Sequence, residues 1–406
     1  MATTAACSGS TATDGLSPTI EDTSNSALTA QQPTSTGVAL VETTDITDVI
    51  ATLTTAGRVD LQPTGNRVIE GAGTLTTPPS TLELPNDAVA QWILPAGNNT
   101  WIAVLDDGTA LEVDGSAVPI RTQTVERSPP TVGAPISSNG QLESSGLGRE
   151  LFSDPIPDAR IVTDGSRLVA LSGPTDRYPH GVLGDELEGS AIEVRVDNAL
   201  STPITLRAPD VFEALSAMLA DVDDDGELDI VVTISNGTTG ARVAAFDFDG
   251  ALLAETDPIG RGNRWRNLLA VAPIGPDGTT EVIDIQTPHI GGILQFFRFD
   301  GHDKLERVAF TEPYSTHSIG SRNLDLGIVS DADGDGQLDV VLPTQDRQIL
   351  AVVTRDDATP SGTREIFRFP LDATLTTNIS AQQASSGAVG YALGTSDGRI
   401  IVWPAR

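Results

Sequence analysis

The sequence predicts an all-β fold, a seven-bladed β-propeller of four-stranded blades preceded by a disordered tail. Three observations lead there. From Gly37 onward, short apolar or alternating runs recur between Gly, Pro, Asn and Asp, with no helical periodicity; 39 glycines and 26 prolines among 406 residues supply the turns. A group of four such runs repeats about every 50 to 60 residues, the mark of an architecture built from one supersecondary unit. Asp221-Val-Asp-Asp-Asp-Gly-Glu-Leu-Asp229 also returns as Asp331-Ala-Asp-Gly-Asp-Gly-Gln-Leu-Asp339, each leading into a β-branched run.

Along the chain, residues 1–36 hold Ser, Thr, Ala, Gln and Asp with almost no large apolar groups. Such a segment cannot offset its own ordering entropy and is expected to be a disordered tether, leaving 37–406 for the propeller. Units are expected near Val49, from Gln91-Trp-Ile-Leu94, from Ala159-Arg-Ile-Val162, from Met218-Leu-Ala220, from Leu268-Leu-Ala-Val271 and from Leu326-Gly-Ile-Val329. The last begins at Val389 and lacks an outer strand, for which Gly37-Val-Ala-Leu-Val41 is the candidate, closing the ring from the other terminus. That makes seven, a common blade number. The unassigned stretch from Gln123 to Pro157 leaves six and eight open.

The repeated acidic loops carry chemistry. A hard cation such as calcium takes six to eight oxygens, and carboxylates at alternate positions can surround one, with glycine at the sixth position for a sharp turn. An EF-hand would need a Glu at the twelfth position between helices, where Val232 and Leu342 stand inside apparent strands. Two solvated acidic turns are the alternative. That reading leaves the recurrence of five fixed positions and of the strand context to coincidence.

With their apolar lead-in and Asp-β-branched exit, these loops resemble the FG-GAP and VCBS repeats of integrin-type propellers, the VCBS-like branch more closely. The resemblance implies calcium bound at the hairpin between the first two strands of a blade. Its side-chain ligands would be Asp221, Asp223, Asp225 and Asp229, and Asp331, Asp333, Asp335 and Asp339, with backbone carbonyls from Glu227 and Gln337. In the unit between them, Gly275-Pro-Asp-Gly278 is expected to keep the loop's glycine but to have lost its carboxylates. Members of that branch include surface binding proteins, adhesins and appendages to enzymes.

In a propeller blade with strands A to D, the A–B and C–D turns share one rim and the B–C and D–A loops the other. By strand count His180, Asp185, Arg264, Trp265, Arg266, His289, His317 and Arg322 fall on the B–C/D–A rim, and His302 on the opposite one. Arginine forks recognise carboxylates, aromatic faces pack on sugars or cations, and histidines can ligate transition metals. These eight are therefore the candidate ligand residues. The alternative is that each only bonds neighbouring backbone.

A net charge of −32, from 24 basic and 56 acidic residues, disfavours nucleic acid and anionic membranes and attracts divalent cations. The single cysteine, Cys7, excludes an intrachain disulfide. Thr4-Ala-Ala-Cys7-Ser resembles the end of a bacterial lipoprotein signal, with threonine where leucine is usual, so Cys7 is a candidate lipid anchor and otherwise an incidental cysteine. No G-x-S-x-G elbow, P-loop or Rossmann fingerprint occurs. The expectation is a secreted or cell-surface monomer that binds calcium and engages a glycan or a surface protein. The alternative is a propeller enzyme, a polysaccharide lyase or quinone-dependent sugar dehydrogenase, with its site on the B–C/D–A rim.

Overall fold

Burial along individual strands shows how the units are layered. Asp229–Ser235 and Asp339–Pro343 are buried along their whole length, as a β-branched strand must be when sheets cover both faces. Leu305–Thr311 and Thr363–Pro370 mix buried, partly buried and exposed positions, as outer edge strands do. The computed structural model describes residues 64–107, 109–124, 151–157, 159–197 and 199–405. All lie in the second of the two units into which the chain divides, Thr43–Arg406. No α-helix occurs among the described residues.

The described residues form a β-propeller with six four-stranded antiparallel blades. Blade I comprises Ala90–Gly97, Thr100–Leu105, Thr109–Asp114 and Pro119–Thr124. Blade II comprises Val162–Thr163, Arg167–Thr175, Glu188–Val196 and a broken outer strand, Ala199–Leu200 and Ile204–Thr205. Blade III comprises Met218–Ala220, Asp229–Ser235, Arg242–Phe246 and Leu252–Glu255. Blade IV comprises Arg266–Ala272, Glu281–Gln286, Ile293–Phe299 and Leu305–Thr311. Blade V comprises Ile328–Asp331, Asp339–Pro343, Ile349–Arg355 and Thr363–Pro370. Blade VI has Ser380–Gln383, Ala388–Gly394 and Arg399–Trp403.

The fourth strand of blade VI comes from the other end of the chain, as expected, but from a different segment. Ser80–Glu83 pairs with Arg399–Trp403, Ser80 opposite Val402 and Glu83 opposite Arg399. The expected closing strand, Gly37–Val41, lies outside the described residues, and the edge it was assigned is already filled. The unit expected from Val49 supplies no separate blade among the described residues. Its described part gives this closing strand and the inner strand Val68–Gly73. That strand runs parallel to Ile328–Asp331 and to the start of Ala388–Gly394, joining blades V and VI. Glycine permits the approach: a Cβ on Gly73 would sit 2.4 Å from the Asp331 carbonyl oxygen and 2.6 Å from that of Ala332.

Shared apolar clusters join II to III, III to IV, IV to V, V to VI and VI to I. Residues 64–73 cross the inner ends of several blades. Leu219 N–H donates to the Thr64 carbonyl (2.8 Å), Asn66 exchanges two hydrogen bonds with Val271, and Val329 N–H donates to the Arg67 carbonyl (2.8 Å). Residues 64–73 thus tie together the inner strands of blades III, IV and V.

Candidate functional site

The two acidic loops are A–B turns, of blades III and V, and the same hydrogen bonds fold both. In each, the sixth residue's N–H donates to the first aspartate: Gly226 to Asp221 at 2.9 Å and Gly336 to Asp331 at 3.0 Å. The seventh donates to the fifth, Glu227 to Asp225 and Gln337 to Asp335, both at 2.8 Å. The ninth carboxylate accepts from the second residue's N–H, Asp229 from Val222 at 3.0 Å and Asp339 from Ala332 at 3.1 Å. The fourth and sixth positions are left-handed in both loops, at Asp224 and Gly226 and at Gly334 and Gly336.

This folding gathers like charges. Asp221, Asp223 and Asp225 each bring a carboxylate oxygen within 4.8 Å of the others, as do Asp331, Asp333 and Asp335. Asp229 and Asp339 are buried beneath them. Desolvation pushes Asp229 up to about 6, with Asp223, Asp247 and Asp225 adding to it against the Val222 N–H. Desolvation likewise pushes Asp339 up to about 7, with Asp333 and Asp335 adding to it. Asp339 Oδ1 makes no hydrogen bond of ordinary geometry, while the Thr354 side chain beside the carboxyl opposes the rise. Clustered carboxylates around a buried, unsatisfied oxygen fit a hard divalent cation, whose charge would offset the repulsion. Glu227 and Gln337 follow the acidic run at exposed positions.

On the opposite rim, four of the eight candidate ligand residues come together. His180 leaves blade II ahead of the short turn Gly181–Leu183, and its Nδ1 meets Glu213 Oε1 at 2.5 Å. His289 stacks on Trp265, with ring centroids 6.0 Å apart and planes inclined by 18°, and His317 packs edge-on at 4.9 Å. Trp265 itself is buried and donates its Nε1–H to the Glu213 carbonyl.

The hydrogen bonds set the tautomers of the histidine pair. His317 Nε2 lies 2.6 Å from the Ser321 carbonyl, which only accepts, so Nε2 carries the proton and Nδ1 accepts. His289 Nε2, 2.6 Å from that Nδ1, is therefore the donor. Both rings are neutral at pH 7. Burial, with His180 and Arg347 nearby, lowers His289 to about 4, and burial first of all lowers His317 to about 3.

The other four residues have structural partners. Arg322 pairs with Asp185 at 2.6 Å, and Gly320 N–H donates to the Val182 carbonyl. The B–C loop of blade II is thereby tied to the D–A loop before blade V. Arg266 turns into blade IV, to buried Asp284 at 2.7 Å, and Arg264 is exposed and bonds the Ile259 carbonyl of its own loop. Each of these four is thus engaged by a neighbour within the fold, Arg266 by a buried carboxylate and the others by loop contacts at the surface.

Beneath the rim lies a cavity of about 80 Å³ lined by Gly65, Arg67, Arg160, Glu213, Trp265 and Asp325. Arg67 and Arg160 meet Asp325 at 3.0 and 3.2 Å; against its burial, the two guanidinium groups hold Asp325 below the usual carboxylate range. Burial raises Glu213, and His180 opposes that rise. The sequence reading missed Arg67, Arg160, Glu213 and Asp325. An acidic residue inside the apolar run Val211-Phe-Glu-Ala-Leu215, just before a blade, was the available signal.

No protein-family model matches the chain, and no curated protein sequence matches it. Among solved structures it is similar to the WD40 β-propeller domain of Doa1, with 10% identity, a TM-score of 0.43, and 80% of this chain and 96% of that one covered. It is also similar to BamB from Moraxella catarrhalis, at 11% identity and TM-score 0.38 over 81% and 97% of the two chains. The Dos1 propeller is similar at 9% identity and TM-score 0.39, over 78% of each. The first and third are propellers, and at such identities no ligand is read across.

Proposed function

We propose that this chain is a calcium-stabilised β-propeller acting as a binding module, outside the cell or on its surface, for a protein partner. The observation that carries the calcium part is the matched pair of loops, each with three carboxylates within 4.8 Å of one another over a buried ninth aspartate. The resemblance to VCBS-type repeats supports the same reading. The cation would be held by Asp221, Asp223, Asp225 and Asp229 and by their counterparts Asp331, Asp333, Asp335 and Asp339. It would supply charge compensation, so that hairpin stability becomes linked to calcium by mass action.

A surface site is favoured over a channel pocket. The cavity has room for a few water molecules, well below the roughly 300 Å³ at which small-molecule pockets begin. The rim above it instead exposes Ile290 (81%) and Ile319 (72%), next to His289 and close to His317, where apolar contact with a protein surface is available. Among the described residues, the Glu213–His180 pair favours an enzyme, since a carboxylate on Nδ1 orients a histidine as a general base.

The deciding experiment is thermal unfolding in chelator and in titrated calcium, for the parent and for Asp225→Ala and Asp335→Ala. At calcium a hundredfold above Kd, each occupied loop adds about 2.7 kcal/mol. Each variant should be less stable than the parent in calcium and respond to it less steeply; identical responses in all three proteins would remove the calcium assignment.

A further inference from the structure

Blade IV carries a third A–B loop of the same length, and strand register fixes the alignment. Ala272 pairs with Glu281 where blade III pairs Ala220 with Asp229 and blade V pairs Ser330 with Asp339. Pro273 therefore stands at the first position, Gly275 at the third, Asp277 at the fifth, Gly278 at the sixth and Glu281 at the ninth. The local folding agrees. Gly278 is left-handed like Gly226 and Gly336, and Thr279 N–H donates to Asp277 Oδ1 as Glu227 does to Asp225. Against the expectation that this loop has lost its carboxylates, the register shows that it keeps them at positions five and nine, Asp277 and Glu281.

Those two carboxylates share one guanidinium. Arg298 Nη2 lies 3.4 Å from Asp277 Oδ1 and 3.0 Å from Glu281 Oε1. Arg355, reaching over from blade V, meets the other side of Glu281 at 2.7 and 3.2 Å. Glu281 is fully buried, so an ionised carboxylate there needs such partners. Arg298 follows Phe297, the residue opposite Val282. The corresponding neighbour is Asp247 in blade III, close enough to push Asp229 up, and Thr354 in blade V, directly opposite Asp339. Where the neighbour is an acid or a hydroxyl, the loop has aspartates at its first and third positions. Where the neighbour is Arg298, both aspartates are absent.

We propose that blade IV is a cation site whose cation is built into the chain: Arg298 occupies the charge position that calcium holds in blades III and V, making blade IV independent of metal. This rests on the calcium reading of the other two loops and deepens it. The protein then takes two calcium ions per chain, and Arg298 acts as a positioning residue that holds the loop through Asp277 and Glu281.

The test pairs stoichiometry with stability, by calorimetric calcium titration and thermal unfolding. The parent should bind two ions. Pro273→Asp/Gly275→Asp/Arg298→Thr restores the acidic pattern and should bind three. Arg298→Ala should lower Tm by the same amount in chelator and in calcium, whereas Asp335→Ala lowers it only in calcium. A parent that binds three ions, a folded triple variant that still binds two, or an Arg298→Ala deficit that appears only in calcium would each overturn the proposal. If the triple variant does not fold, the Arg298→Ala comparison decides alone. A parent that binds no calcium would instead defeat the calcium reading itself, while an equal Arg298→Ala deficit would still identify the guanidinium as the brace.

Discussion

The left-handed glycines at the sixth loop position isolate backbone geometry from packing. A Cβ on Gly336 (φ +91) would meet nothing within 4 Å, so Gly336→Ala adds no clash and costs only the strain of holding an L-residue in that conformation. About 1–2 kcal/mol is expected from chemical unfolding in chelator. Calcium stoichiometry should stay unchanged, because no ligand oxygen is removed. A loss above that range would mean that the alanine also disturbs the Gly336 N–H bond to Asp331.

Loops, rather than strands, assemble the rim, and the histidine pair makes that assembly sensitive to acid. Folded His289 and His317 are depressed to about 4 and about 3 from an ordinary value near 6.5. The unfolded chain therefore binds more protons than the fold between those limits. Stability is fully present above pH 6.5 and falls as pH drops from about 6.5 towards 4. His289→Gln keeps an N–H donor for His317 Nδ1 and removes one titrating ring, so its acid slope in that window should be shallower than the parent's. Equal slopes, measured by urea unfolding across pH, would show that the pair is not coupled to folding.

For the whole molecule, ring closure depends on residues far apart in sequence. Ser80–Glu83 completes blade VI, and residues 64–73 bond to the inner strands of blades III, IV and V. Arg67 is buried there, donating to the Gly327 and Ile379 carbonyls and pairing with Asp325. A chain beginning at Leu84 would leave an open sheet edge at Arg399–Trp403 and an aspartate short of one of its two cations. Such a chain should aggregate or melt well below the parent, as seen by size-exclusion chromatography and circular dichroism. An unchanged, monomeric melt would show that the ring closes without its N-terminal strap.

Sequence by itself determined the all-β class, the four-strand repeat and the two acidic loops. Periodicity, turn residues and a nine-residue spacing are local properties, written in contiguous stretches of chain. It also placed His180, His289 and His317 on one rim, because strand counting fixes which loop belongs to which end of a blade. Only the tertiary structure decided which segment closes the ring: many short apolar runs can serve as an edge strand, and the choice of Ser80–Glu83 depends on pairing across more than three hundred residues. It alone brought Arg298 and Arg355 to Glu281, Arg67 and Arg160 to Asp325, and Glu213 to His180. Those partners come from different strands and loops, and a charged residue's sequence neighbours say nothing about the opposite charge that its burial requires.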